Sequence, residues 1–185
     1  MFIRDPQAAA SGSSCSPLGR SDNVMIKQLV QEYISKRQHK PGETVQFGWF
    51  IFRIAGSAEI ETLDFKEIAS FTTDFSTVER IHALQRGALA RSGRGEEGCT
   101  LWQSAVVSRS YSPEHQDAFL KRDAPTDAND SGWYVGVSKE ERPMDDVESF
   151  VRRSLYELTI RDMRMAPFWL LPSGTTVALN SGEVT

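Results

Sequence analysis

Apolar residues recur along this chain with two periods, and the switches between them mark the expected elements. From Met25 to Gln38, Ile26, Leu29, Val30, Tyr33 and Ile34 fall at the i, i+3, i+4, i+7, i+8 positions of an amphipathic helix. Ser21, Asp22 and Asn23 offer N-caps and Pro41-Gly42 a stop. Thr44–Ile54 (TVQFGWFIFRI) is rich in β-branched and aromatic residues and predicts one strand, apolar on both faces in its second half and so central in a sheet. Ile60–Leu63 predicts a short partner strand beyond Gly56, and Asp64–Ser70 a single helical turn.

Ser76-x-x-Glu79 has the form of a capping box, opening a helix to about Arg91 with Val78, Ile81, Leu84, Ala88 and Leu89 inward. Ser92–Gly98 predicts a flexible loop, Thr100–Ser110 a second strand, and Ala118–Leu120 a short apolar anchor. A strand follows at about Trp133–Val137. Asp145-x-x-Glu148 predicts a second capped helix through about Leu158, with Val147, Phe150, Val151, Leu155 and Leu158 on one face. After Pro172-Ser173-Gly174, Thr175–Leu179 predicts a last strand. Strands and helices mix without regular βαβ alternation. The expected class is α+β: a mixed or antiparallel sheet with two or three packed helices.

Residues 1–23, with Ser11-Gly12-Ser13-Ser14 and few apolar positions, predict a disordered tail. Met25, directly before the first periodic segment, is a plausible alternative start. Residues 24–185 are expected to form one domain, since 185 residues with 39% hydrophobic content support a single core. Met1-Phe2-Ile3 is followed at once by Arg4-Asp5-Pro6, which lacks a signal peptide's apolar region, and no apolar run approaches the ~20 residues of a membrane span. Two cysteines, Cys15 and Cys99, read as free thiols in a reducing compartment, and the expected location is the cytoplasm.

Charge changes the picture. The stretch Asp123–Glu148 holds eight carboxylates against Lys139 and Arg142, a net of −6, while each flank is +1, so the chain's −4 comes from this stretch. A pI near 5.4 argues against general nucleic-acid binding. A concentrated acidic patch suits a basic protein partner. The candidate contacts are Asp123, Asp127, Asp130, Trp133, Glu140, Glu141, Asp145 and Asp146. Asp145 and Glu148 also have a sufficient role as a helix cap. Trp133 is either the anchor of the Asp130-Ser131-Gly132 turn or a partly exposed contact. Trp49, Trp102 and Trp169 lie in apolar runs and are expected in the core.

Candidate chemistry is sparse. Asp127-x-Asn129-x-Ser131-Gly132 matches the opening of a calcium loop, but the twelfth position is Ser138 where a bidentate Glu is needed, so an Asx-turn cluster is the plainer reading. His39, His82 and His115 have no zinc-site spacing. Cys99 with His82 is a conceivable nucleophile and base, set against a buried small residue and a helix-surface histidine. Ser92-Gly93-Arg94-Gly95 lacks the Lys-Ser/Thr of a phosphate cradle. No cofactor, metal or catalytic residue is assigned.

At Asp130-Ser131-Gly132-Trp133 the C-terminal half resembles the bacterial polymorphic-toxin immunity-protein domain whose hallmark is an Asp-Ser-Gly-Trp turn after a short strand. The matching elements are Ser104–Ser108, Asp130–Trp133 with Tyr134-Val135-Gly136, Ser154–Leu158 and Leu171–Thr175. Residues 100–185 are the immunity-like part, and 24–99 an N-terminal extension of it, its strand expected in the same sheet. The resemblance implies a non-enzymatic cytoplasmic antidote that binds and neutralises a cognate toxin or effector in interbacterial competition. The alternatives are a generic interaction or regulatory domain without a toxin partner and, less favoured, a metal-dependent hydrolase.

Overall fold

The computed structural model describes residues 26–36, 38–56, 59–138 and 147–185. The expected tail at 1–23, the N-cap candidates Ser21, Asp22 and Asn23, and the acidic residues Glu140, Glu141, Asp145 and Asp146 lie outside them.

Helix α1 (Ile26–Ser35) buries Ile26 and Val30. The stretch expected as one strand is a hairpin, β1 (Thr44–Phe47) and β2 (Phe50–Ile54), with Phe47 opposite Phe50. Gly48, at φ 58, supplies the positive dihedral of its two-residue loop. The apolar run misled because the tight turn itself is apolar: Trp49 is 2% exposed and stacks at 6.0 Å on Phe65. β3 (Ile60–Leu63) and β4 (Phe71–Thr72) complete an antiparallel sheet in the order β1-β2-β3-β4. Between them, residues 64–70 form bends and turns instead of the expected helical turn.

Helix α2 (Ser76–Ser92) starts without the expected capping box. Phe75 occupies the N-cap position in helical geometry, and Asp74 Oδ1 accepts the Ser76 N–H at 2.9 Å. Its buried face is Val78, Ile81, Gln85, Ala88 and Leu89; Leu84 points outward. Gln85 is held by an Nε2 hydrogen bond to the Ala166 carbonyl.

The second sheet is mixed, in the order β10-β9-β6-β7-β5-β8. It contains β5 (Ser104–Ser108), β6 (Ala118–Arg122), β7 (Asp130–Val137), β8 (Phe150–Ser154), β9 (Thr175–Ala178) and β10 (Glu183–Val184). β7 runs parallel to β5 and antiparallel to β6. The N-terminal strands therefore do not extend this sheet. The two sheets instead share one apolar cluster, with Phe52, Ile81, Leu101, Leu120, Trp133 and Leu155 inside it.

The helix expected over Asp145–Leu158 is corrected. Val147–Ser149 is a 3-10 turn, Phe150–Ser154 is strand β8, and only Leu155–Arg161 is helix α3. Pairing decides this: β5 has an open edge, and Phe150 to Ser154 lie opposite Ser108 to Ser104 along it. The capping box sits later, where Ser154 accepts the Glu157 N–H and Glu157 accepts the Ser154 N–H. Glu148 therefore caps no α-helix, and Val147 is 85% exposed.

Candidate partner-binding surface

Alternation along β6 puts Ala118, Leu120 and Arg122 on the inward face, so a guanidinium enters the core beside two apolar residues. Arg122 is 1% exposed. Its Nε donates to the Ser131 carbonyl at 3.1 Å, and Nη1 donates to Leu171 O at 2.5 Å and Glu97 O at 2.9 Å. Nη2 lies 3.6 Å from the Glu97 carboxylate, and the guanidinium lies 5.6 Å from the Trp133 ring centroid. The positive charge is thus spread over carbonyls, one carboxylate and an aromatic face.

Across the strand pair, Trp133 faces Arg122. It is 1% exposed, its Nε1 donates to Trp169 O at 3.2 Å, and the two indoles meet edge-on at 5.6 Å. The Asp130–Trp133 turn that delivers it is an irregularity in the ladder: Ser104 pairs with Asp130, yet Val106 pairs with Tyr134. Gly132, at φ 76, makes the bend possible. Ser131 Oγ donates to Ser104 O at 2.8 Å, fixing the bend to β5.

Asp130 is 6% exposed and serves the same turn. Its Oδ2 accepts from the Thr126 N–H and hydroxyl, and its Oδ1 from the Gly132 N–H. Burial, the largest single influence, pushes its pKa up. The hydrogen bonds from Thr126 and Gly132, with Arg152 nearby, outweigh that and hold the carboxyl below its usual range. Asp130 and Trp133 are thus corrected as partner contacts: both are buried and spent on the scaffold, Trp133 in its anchor role.

Asp123 and Asp127 are placed differently. Residues 123–129 are exposed. The Asp123 side chain is 64% exposed, with Lys121 Nζ at 3.1 Å. Asp127 Oδ1 accepts the N–H groups of Asn129 and Asp130, the expected Asx turn, leaving its carboxylate facing solvent. Of the eight sequence candidates, these two present carboxylates at the surface; Glu140, Glu141, Asp145 and Asp146 lie outside the described residues.

The nucleophile pair is not assembled as such. Cys99 is buried, its thiol donates to Trp169 O at 3.0 Å, and burial above all pushes its pKa up to about 12. His82 sits beside Phe50, and burial, with Arg86 next, lowers its pKa. The loop at 92–98 is tied down, with Arg94 donating to Gly174 O and Arg86 paired to Glu96 at 2.7 Å. Among the described residues, no group of three or more His, Cys, Asp or Glu is placed to hold a metal ion, and no helix is long and apolar enough to cross a membrane.

Sequence reasoning missed two residues that matter at this end of the sheet. Arg122 was legible in principle, from the alternation Ala118-x-Leu120-x-Arg122. Trp102, expected in the core, is 44% exposed: in the turn before β5, Leu101 takes the buried position at 0% exposure and Trp102 the outer one. Nothing in its apolar run signals that.

Compared with family models, curated proteins and solved structures, the chain matches none. Four segments meet at this end of the sheet. β5 and β7 are neighbours, Arg122 joins the Asp130–Trp133 turn to Leu171, and the Ser154 cap lies opposite Ser104.

Proposed function

We propose that this chain is an immunity protein, a non-catalytic binder that neutralises a cognate bacterial toxin or effector in the cytoplasm of the producing cell. The observation that carries the reading is a division of labour within one acidic segment. Asp130 and Trp133 are buried and brace the turn, while Asp123 and Asp127 stand exposed on it. Carboxylates held on a rigid turn lose little freedom on binding and steer a basic partner toward the surface. Cys99, buried with its thiol bonded to Trp169 O, is accounted for as a core residue. The resemblance of residues 104–180 to the Asp-Ser-Gly-Trp immunity domain supplies the partner class.

Co-expression with the product of the neighbouring reading frame tests the reading. Growth is rescued by this chain and the two proteins co-purify if it holds. Unrelieved toxicity, or a neighbour without toxicity, returns the chain to a generic interaction domain.

A further inference from the structure

A cavity of about 350 Å³ opens where three segments meet. Phe65 and Lys66 come from the β3–β4 connection, Ser76, Thr77 and Arg80 from the start of α2, and Met163 from the 3-10 segment Met163–Phe168 that follows α3. Ser76 and Thr77 precede Arg80 at i,i+4 and i,i+3 spacing, so the helix repeat puts all three on one face. The volume falls in the range of small-ligand pockets.

The wall that carries Lys66 is held in place. The Tyr156 hydroxyl donates to Asp64 O at 2.7 Å and Glu67 O at 3.2 Å, and the Asp64 N–H donates to Ser70 O at 3.0 Å. The Lys66 N–H donates to Asp64 Oδ1 at 2.8 Å. Phe65 is 5% exposed, stacked on Trp49 and edge-on to Tyr156. Met163 packs against the same apolar cluster. The cavity thus has a fixed apolar wall, and little backbone ordering is needed to fill it.

Charge indicates what the ligand carries. Among the described residues no carboxylate lines the cavity, while two cations do. Neither Lys66 nor Arg80 has an ion-pair partner among the described residues, whereas Arg53, Arg86, Arg122 and Arg164 each face a carboxylate. The carboxylates on the flanking turns are bonded to backbone: Asp74 Oδ1 accepts the Ser76 N–H at 2.9 Å, and Asp64 Oδ1 the Lys66 N–H. Phe75, at the N-cap of α2, brings no side-chain oxygen to the first turn, so the helix end adds partial positive charge. One guanidinium fork satisfies a planar carboxylate. A phosphoryl group, with three oxygens and close to two charges, uses donors from several segments.

We propose that this cavity binds a phosphate monoester with a small apolar or aromatic body. Lys66 and Arg80 hold the phosphoryl group, Ser76 and Thr77 add hydroxyl donors, and the body lies against Phe65 and Met163. The site goes beyond the immunity reading and does not depend on it.

The test is an amide NMR titration of the full chain with phenyl phosphate, inorganic phosphate and benzoate. Phenyl phosphate shifts the Lys66, Ser76 and Thr77 amides saturably and binds about 10-fold or more tighter than either other probe. Lys66→Gln and Arg80→Gln each weaken it by about 10-fold, with urea midpoints close to wild type, and Arg80→Lys recovers part of the loss. Arg91→Gln, in the last turn of α2, binds as wild type does. Inorganic phosphate bound as tightly as phenyl phosphate removes the apolar wall from the site, and benzoate bound as tightly removes the phosphoryl group; either overturns the proposal. So does a titration without saturation, or wild-type affinity in both Lys66→Gln and Arg80→Gln. Equal losses in Arg80→Gln and Arg91→Gln would reduce the effect to the net charge of the helix and overturn it as well.

Discussion

A Cβ placed on Gly132 would stand 2.1 Å from the carbonyl oxygen of Asp123. The two residues lie across the β6–β7 pair, where the Asp123 N–H also donates to Gly132 O at 2.9 Å. The glycine of the Asp-Ser-Gly-Trp turn is therefore required twice, for its left-handed φ of 76 and for the approach of a neighbouring backbone. Gly132→Ala is expected to cost at least about 2 kcal/mol in urea unfolding. A midpoint equal to wild type would show that the strands part without penalty.

Arg122 offers a second stability test. Removing its guanidinium leaves the carbonyls of Ser131 and Leu171 without this donor and leaves the Glu97 carboxylate without its cation. Arg122→Met is expected to lose about 2–3 kcal/mol, chiefly from buried carbonyls left without a donor, and Arg122→Lys to recover only part, because an ammonium cannot reach divergent carbonyls as a planar fork does. Full stability in the lysine variant would reduce the cluster to a point charge.

Acid stability should report on Asp130. Its folded pKa is lowered, so its contribution is fully present above the ordinary aspartate value and is lost as pH falls through the lowered one. Asp130→Asn is expected to be less stable at neutral pH and to show a shallower loss of stability on acidification. Some acid dependence persists, because Asp162, bonded to Tyr111 and Arg164, is lowered as well. Superimposable acid limbs for variant and wild type would contradict the assignment.

The Cys99 thiol, pushed up to about 12, should resist a thiol reagent in the folded protein. In a Cys15→Ser background, labelling should follow the unfolding rate and become fast in denaturant. Rapid labelling of the native protein would show that the thiol is reachable.

Charge at Asp123 and Asp127 should matter to association and little to folding. Asp123→Lys is expected to change stability by no more than about 0.5 kcal/mol, since an exposed carboxylate and Lys121 contribute little. Under the proposed immunity function, association with the cognate toxin should slow and lose part of its salt dependence. Asp127→Asn keeps a side-chain oxygen for the Asx turn and isolates the charge. Identical association rates for both variants across a salt series would remove steering from this segment.

The sequence by itself determined the α+β class, the amphipathic helices α1 and α2, strands such as Ile60–Leu63 and Trp133–Val137, and the Asx turn at Asp127. Each follows from local periodicity or from a side chain bonding its own backbone, and neither needs a distant partner. Tertiary structure decided the rest. Phe150–Ser154 reads as helix and became strand because the open edge of β5 lies beside it. Arg122 became a buried clamp because Ser131, Glu97 and Leu171 converge from three segments, and Trp102 turned outward because Gln103 is held by the 128–130 loop and by α3. Hydrogen bonds between residues far apart in the chain leave no local pattern, so the division of the acidic segment into brace and surface became legible only once the chain had folded.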